Sequence, residues 1–184
     1  MVANNNIPAD LAEAIKFHGH LCPGLVIGYL AAKVGMERLK AIRSDDEELI
    51  GIVENDSCAV DAVQVLTGCT TGKGNLFMRD YGKMVFTFAM RPSGKAVRVS
   101  LIRREKPGES KQDREQRIEY MLSARPEELF WVREEKIDWP DTATIHENAV
   151  CEQCGEMMMD TRSRCVGGAV LCIPCAEEAA KARK

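Results

Sequence analysis

The chain lacks any run able to cross a bilayer. Its most apolar stretch, LVIGYLAAKVGM, is short and broken by Gly and Lys, whereas a spanning helix needs about 20 apolar residues. A basic, then apolar leader is also missing, because MVANNNIPAD is polar. Secretion and membrane attachment are therefore not expected, and the expected compartment is the cytoplasm. Excess positive charge is absent: 25 Lys and Arg face 28 Asp and Glu, a formal net charge of -3. A surface built for polyanions needs the opposite balance, so nucleic acid is not expected as a partner. Internal repeats and low-complexity tracts are missing too. Histidine is scarce, with only His18, His20 and His146.

Cysteine is plentiful. Eight cysteines without a secretion leader read as thiols and metal ligands rather than disulfides. At 184 residues and 45% hydrophobic, the chain can bury one good core plus a small appended module.

Apolar spacing predicts a short helix from about Pro8 to Phe17, ended by Gly19. Pro23 suits the first position of a second helix, which puts Cys22 at its N-cap and carries Leu25 to Leu39. Leu49 to Glu54 reads as a buried strand. It leads through Asn55, Asp56 and Ser57 into the helix CAVDAVQVLTG, for which Gly68 is the expected stop. NLFMRDYGKMVFTFAM, around a Tyr81-Gly82 turn, and KAVRVSLIR then alternate as antiparallel strands with one buried face. Helices first and strands later give an α+β class. Ser110 and Asp113 form a weak capping pair for a helix carrying Ile118, Met121 and Leu122. Residues 126 to 132 suggest another short helix. The expected domains are a core at 1–138, a linker at 139–150 and a module at 151–184.

That module is the strongest signal. Cys151 and Cys154 form one CxxC and Cys172 and Cys175 another, with 17 residues between the pairs, a spacing typical of a structural zinc site. Four thiolates satisfy zinc tetrahedrally and leave no open position. Gly155 fits a tight knuckle, Gly167-Gly168 a hairpin turn, and the second pair opens a helix with Glu177 and Glu178 first and Lys181 to Lys184 last. Knuckle, hairpin and helix describe a treble clef, which at 34 residues needs its metal to fold. Cys165 lies off both pairs and reads as a spare thiol. Five positive against five negative side chains in the module oppose nucleic-acid binding and favour a stability or protein-contact role.

HGHLCPG forms a second constellation. A thiol at a helix N-cap feels the positive end of the helix, which favours the thiolate of Cys22 as ligand or nucleophile. His18 and His20 add nitrogen ligands, and the Gly between them lets both converge. Cys58, in the first turn of its own helix, can complete the set. Cys69 lies eleven residues further on, about 16 Å along a continuous helix, so it serves another site unless Gly68 turns it. GCTTGKG fails as a phosphate loop: three residues, not four, separate Gly68 from Gly72, and Gly74 stands where Ser or Thr should hold magnesium. Lys73 remains a candidate for meeting an anionic group.

FHGHLCPGLVIGYLAA, SCAVDAVQVLTGCTTGKGN and the terminal CEQCGE...LCIPCA together resemble the FmdE family, named for an accessory subunit of molybdenum-containing formylmethanofuran dehydrogenase. The resemblance implies an α+β core, usually dimeric, with a C-terminal treble-clef finger. It also implies that His18, His20, Cys22, Cys58, Cys69 and Lys73 occupy the family's motif positions around a ligand or metal site. The expected function is a zinc-containing accessory protein, a homodimer serving a molybdenum or tungsten oxidoreductase, with a possible second metal in the core. The alternative is a stand-alone zinc-dependent hydrolase or deformylase using the same His/Cys site. No HExxH is present, and Glu54, Asp56 and Asp61 are the only acids near the motif in sequence.

Overall fold

The computed structural model describes residues 7–102 and 114–182. The chain divides into two compact units, Met1–Ala143 and Thr144–Lys184. The boundary lies inside the stretch read as a linker. The expected Ser110 and Asp113 cap falls outside the described residues.

The first unit opens with α1 (Ala9–His18), closed by Gly19 in the left-handed region, whose N–H reaches the Ile15 carbonyl. In α2 (Pro23–Leu39) the Cys22 sulfur accepts the Leu25 N–H as the N-cap, and Pro23 occupies the first turn, as the sequence predicts. Next come β1 (Leu49–Val53), α3 (Ala59–Thr67), β2 (Leu76–Met78), β3 (Val85–Met90) and β4 (Lys95–Leu101). After α4 (Arg114–Ser123), the short α5 (Pro126–Leu129) passes directly into β5 (Phe130–Glu134). The helix expected over 126–132 therefore ends early, because Phe130 and Val132 are needed as strand residues facing Leu101 and Val99.

The sheet order is β2-β1-β3-β4-β5. β1 pairs in parallel with β2 and antiparallel with β3, so the sheet is mixed. β2 and β3 are not the hairpin that their alternation suggests. The turn at Tyr81 and Gly82 instead rounds the end of β1, where the Tyr81 and Lys83 N–H groups both donate to the Glu54 carbonyl. The expectation of one buried face fails as well. Phe86 and Phe88 face the helices, while Ile50, Ile52, Ala89 and Ala96 form a second cluster on the opposite face, covered by Phe77 and Ile137. The segment after β5 is held there by Arg91 Nη2 donating to the Asp141 carbonyl and by the Ala143 N–H on the Glu47 carboxylate. Glu54, buried beside this sheet, is bridged by both terminal nitrogens of Arg98.

α2 packs closely against α3. A Cβ added at Gly28 would lie 2.0 Å from the Ala59 carbonyl oxygen, so only glycine lets the two helices approach this closely. Leu11, Ala14, Leu25, Tyr29 and Ala62 fill the space where α1 closes against them.

The second unit contains a β6–β7 hairpin (Asn148–Val150, Met157–Met159), the 3-10 turn η1 (Asp160–Arg162), a β8–β9 hairpin (Arg164–Val166, Ala169–Leu171) and α6 (Ile173–Lys181). Its core is Cys151, Leu171 and Cys175, with Met158 and Val166 packed against them. So few buried apolar residues cannot stabilise a module of this size without a further cross-link.

Candidate functional site

Three helix ends meet in the first unit. His18 is the last residue of α1, Cys22 caps α2 and Cys58 caps α3. Close packing of α2 on α3 brings them together, and a Cβ at Gly24 would lie 3.2 Å from the Cys58 Cβ. One ligand atom each from His18, Cys22 and Cys58 lies within 4.8 Å of the other two. The His18 Nε2 to Cys22 Sγ distance is 3.8 Å, close to the roughly 3.5 Å that a tetrahedral zinc sets between its N and S ligands. Cys22 is buried and Cys58 half-buried.

Asp61 orients the histidine. Its Oδ2 lies 2.7 Å from His18 Nδ1, and because a carboxylate accepts, Nδ1 carries the proton and the Nε2 lone pair faces the sulfurs. Sequence reading found Asp61 only as a nearby acid. The available signal was its place three residues after Cys58, on the same helix face. Burial and then the adjacent Cys22 sulfur raise the Cys58 thiol above the ordinary cysteine range. Two thiols placed side by side resist ionising together, and a cation between them relieves that conflict. The donor set of one nitrogen and two sulfurs, with the Asp61 carboxylate on the far nitrogen of the histidine, thus fits zinc. Three protein ligands leave a fourth position open.

The remaining predicted residues lie elsewhere. The His20 ring packs beside His18, with centroids 4.6 Å apart, but among the described residues it is not one of the converging ligands. Cys69 must be removed from the cluster. It sits beyond the opposite end of α3, fully buried, with its S–H donating to the Leu49 carbonyl at 3.3 Å, and burial pushes its thiol up to about 11. Lys73 is also removed from it: its Nζ donates to the Ser44 and Asp45 carbonyls. Buried Asn75 completes this structural knot by donating to the Asp46 and Leu49 carbonyls and accepting the Thr70 N–H.

In the second unit, Cys151, Cys154, Cys172 and Cys175 present sulfurs all within 4.8 Å of one another. The Cys154 to Cys172 separation of 3.9 Å matches the roughly 3.8 Å between sulfurs on a tetrahedral zinc. Gly155, at φ 76°, makes the knuckle. The backbone N–H groups of Cys154 and then Cys172 bring the Cys151 thiol down to about 6, while the neighbouring Cys172 sulfur pushes the Cys175 thiol well up, a conflict that a cation held among the four would relieve. Gly167 and Gly168 turn β8 into β9 at φ 64° and 94°, and Cys172 opens α6. Cys165 is exposed on β8, outside the four.

Each of the two units matches a known family. Residues 17–132 match the family described as "FmdE, Molybdenum formylmethanofuran dehydrogenase operon". Residues 146–180 match the prokaryotic dksA/traR C4-type zinc finger. The crystal structure of a tungsten formylmethanofuran dehydrogenase FmdE-like protein from Syntrophus aciditrophicus superposes with a TM-score of 0.66 at 26% identity, covering 91% of each chain. A probable S-adenosyl-L-methionine-binding protein from Archaeoglobus fulgidus is 34% identical over 198 residues, covering 90% of this chain and 52% of its own length. The chain thus spans about half the length of that relative.

Proposed function

The chain belongs to the FmdE family, and from that premise we propose that it is a cytoplasmic, homodimeric accessory protein of a molybdenum or tungsten oxidoreductase that holds two zinc ions. One is structural, in a treble-clef finger built on Cys151, Cys154, Cys172 and Cys175. The other sits between His18, Cys22 and Cys58, with Asp61 fixing the His18 ring. The observation that carries this reading is the convergence of one imidazole nitrogen and two sulfurs within 4.8 Å at three helix ends. No helix among the described residues is long and apolar enough to cross a membrane.

A zinc held by three ligands supplies a Lewis acid at its open position. Around it, Cys22 and Cys58 anchor from two rigid helices. Asp61 holds the Nδ1 proton, so His18 offers only Nε2, and the Leu25 N–H steadies the Cys22 sulfur at 3.4 Å. The open position favours a second reading as well, a stand-alone hydrolase or deformylase acting there.

Metal content per chain tests the proposal, on wild type and on a Cys22→Ala, Cys58→Ala double variant purified without added metal. Two zinc ions in wild type and one in the variant support it. One in each refutes the core site. Turnover of simple formamides that is lost in Cys22→Ala would favour the enzyme reading. The Archaeoglobus relative's name makes S-adenosylmethionine the first small molecule to titrate against the loaded protein.

A further inference from the structure

We propose that the cleft between α1, α2 and the C-terminal half of α3 binds a small zwitterion with an apolar body. The cleft has a volume of about 620 Å³ and a mostly apolar lining, as small-molecule sites do. Every wall belongs to the first unit. Asp10, Glu13 and Phe17 line it from α1, at a spacing that puts them on one helix face over about 10 Å. Met36 from α2 and Val65 and Leu66 from α3 add apolar surface. Phe17 leaves 61% of its own surface uncovered.

The unpaired charges select the ligand. Four charged side chains line the cleft, and two of them satisfy each other. Lys33 Nζ donates to Asp10 Oδ2 at 2.8 Å, and the Tyr29 hydroxyl donates to Oδ1. Glu13 and Arg43 remain, one of each sign, and neither has an ionic partner among the described residues. Arg43 is held by its Nε, which donates to the Val65 carbonyl at 3.1 Å. Its two terminal nitrogens are left for an incoming carboxylate. Thr70, another lining residue, follows Gly68, and a Cβ added at Gly68 would lie 3.2 Å from Arg43 Cγ. Thr70 Oγ1 accepts the Lys73 N–H, so its hydroxyl proton is free to donate. Arg43 and Thr70 thus form an anion subsite at the close of α3, and Glu13 supplies the counterpart for a cation. An anion alone leaves Glu13 unanswered, a cation alone leaves Arg43 so, and a zwitterion satisfies both. Exposed charges give direction more than affinity, so the apolar body, laid on Phe17, Met36 and Leu66, supplies most of the binding. An extended chain covers about 3.3 Å per residue, so an apolar tripeptide with free termini matches the length of the cleft.

Calorimetric titration of the full chain tests this, with Leu-Leu-Phe, its N-acetyl form and its C-terminal amide as probes. Saturable binding of the free tripeptide is expected, at least tenfold weaker for either blocked form. Glu13→Gln should then bind the free and acetylated peptides equally, and Arg43→Gln the free and amidated ones equally. Both side chains are exposed, so the variants should fold. Absence of saturable binding, equal binding of all three peptides by wild type, or variants that weaken all three alike or keep the wild-type preferences overturn the inference. Acetylated peptide bound as well as the free one overturns it too, and assigns the cleft to the C-terminal tail of a partner protein. None of the three converging core ligands lines the cleft. Metal counting therefore decides the core zinc, and the peptide titration decides this site.

Discussion

Gly28→Ala tests whether the packing of α2 on α3 builds both the fold and the core cluster. The new methyl would lie 2.0 Å from the Ala59 carbonyl oxygen and 2.6 Å from the Ala59 carbonyl carbon. Carbon and oxygen need about 3.2 Å, so the helices must separate by about 1 Å. The obstruction is backbone, and no rotamer change relieves it. Overpacking of this kind costs about 3 kcal/mol, and better helix propensity returns about 1 kcal/mol. A net loss of about 2 kcal/mol lowers the urea midpoint by about 1 M at a slope of about 2 kcal/mol per M.

The same displacement reaches the ligands, because Ala59 follows Cys58 and Gly28 lies less than two turns beyond Cys22. Metal sites tolerate about 0.2 Å in ligand distance, so affinity of the core site for zinc should fall at least tenfold while the finger keeps its own ion. Equilibrium urea unfolding and competition against a zinc chelator measure the two effects. Gly72→Ala is the control, since nothing lies within 4 Å of its added Cβ. Wild-type midpoint and wild-type zinc affinity in Gly28→Ala would refute the reasoning.

Three further outcomes are expected. Asp61→Asn frees the His18 ring at little cost in stability, and the core zinc affinity should drop 10- to 100-fold, read by the same chelator competition. Prolonged chelation should unfold the finger and leave the first unit intact, because among the described residues the finger core holds only Cys151, Leu171 and Cys175 as buried apolar residues; limited proteolysis distinguishes the two. Cys69 keeps its proton up to about 11 in the folded chain against 9.0 unperturbed, so its contribution is complete below 9 and lost as pH rises through 11, about 3 kcal/mol in all. Unfolding free energy measured across that window should fall less steeply in Cys69→Ala than in wild type.

Helix ends were legible in the sequence because capping is local. Pro23 behind Cys22, Gly19 and Gly68 each announce a terminus, and the structure puts the ends at those residues. The four-cysteine site was legible for the same reason, two short spacings carrying the whole geometry. Strand pairing was not. The alternation in β2 and β3 says which side chains share a face but not which strand lies beside them, and β1, more than twenty residues before β2, sits between the two. Thr87 and Ala89 read as an outward face because small and polar residues tolerate solvent. Phe77 and the return of the chain as far as Ile137 cover the Ala89 side of that face.

The core cluster stands between these cases. Cys22 and Cys58 can be placed at helix starts from sequence, but their convergence depends on Gly28, whose role is invisible until the Ala59 carbonyl is opposite it. Cys69 and Lys73 share the motif region yet serve another end of α3, where Ser44, Asp45 and Leu49 offer carbonyls needing donors. One helix therefore has two separable tasks. Its start presents Cys58 and Asp61 to a metal-sized space, and its end ties the Gly-rich loop to the sheet. Changes at Cys69 or Lys73 should accordingly move stability and leave the core metal in place, while Cys58→Ala should do the reverse.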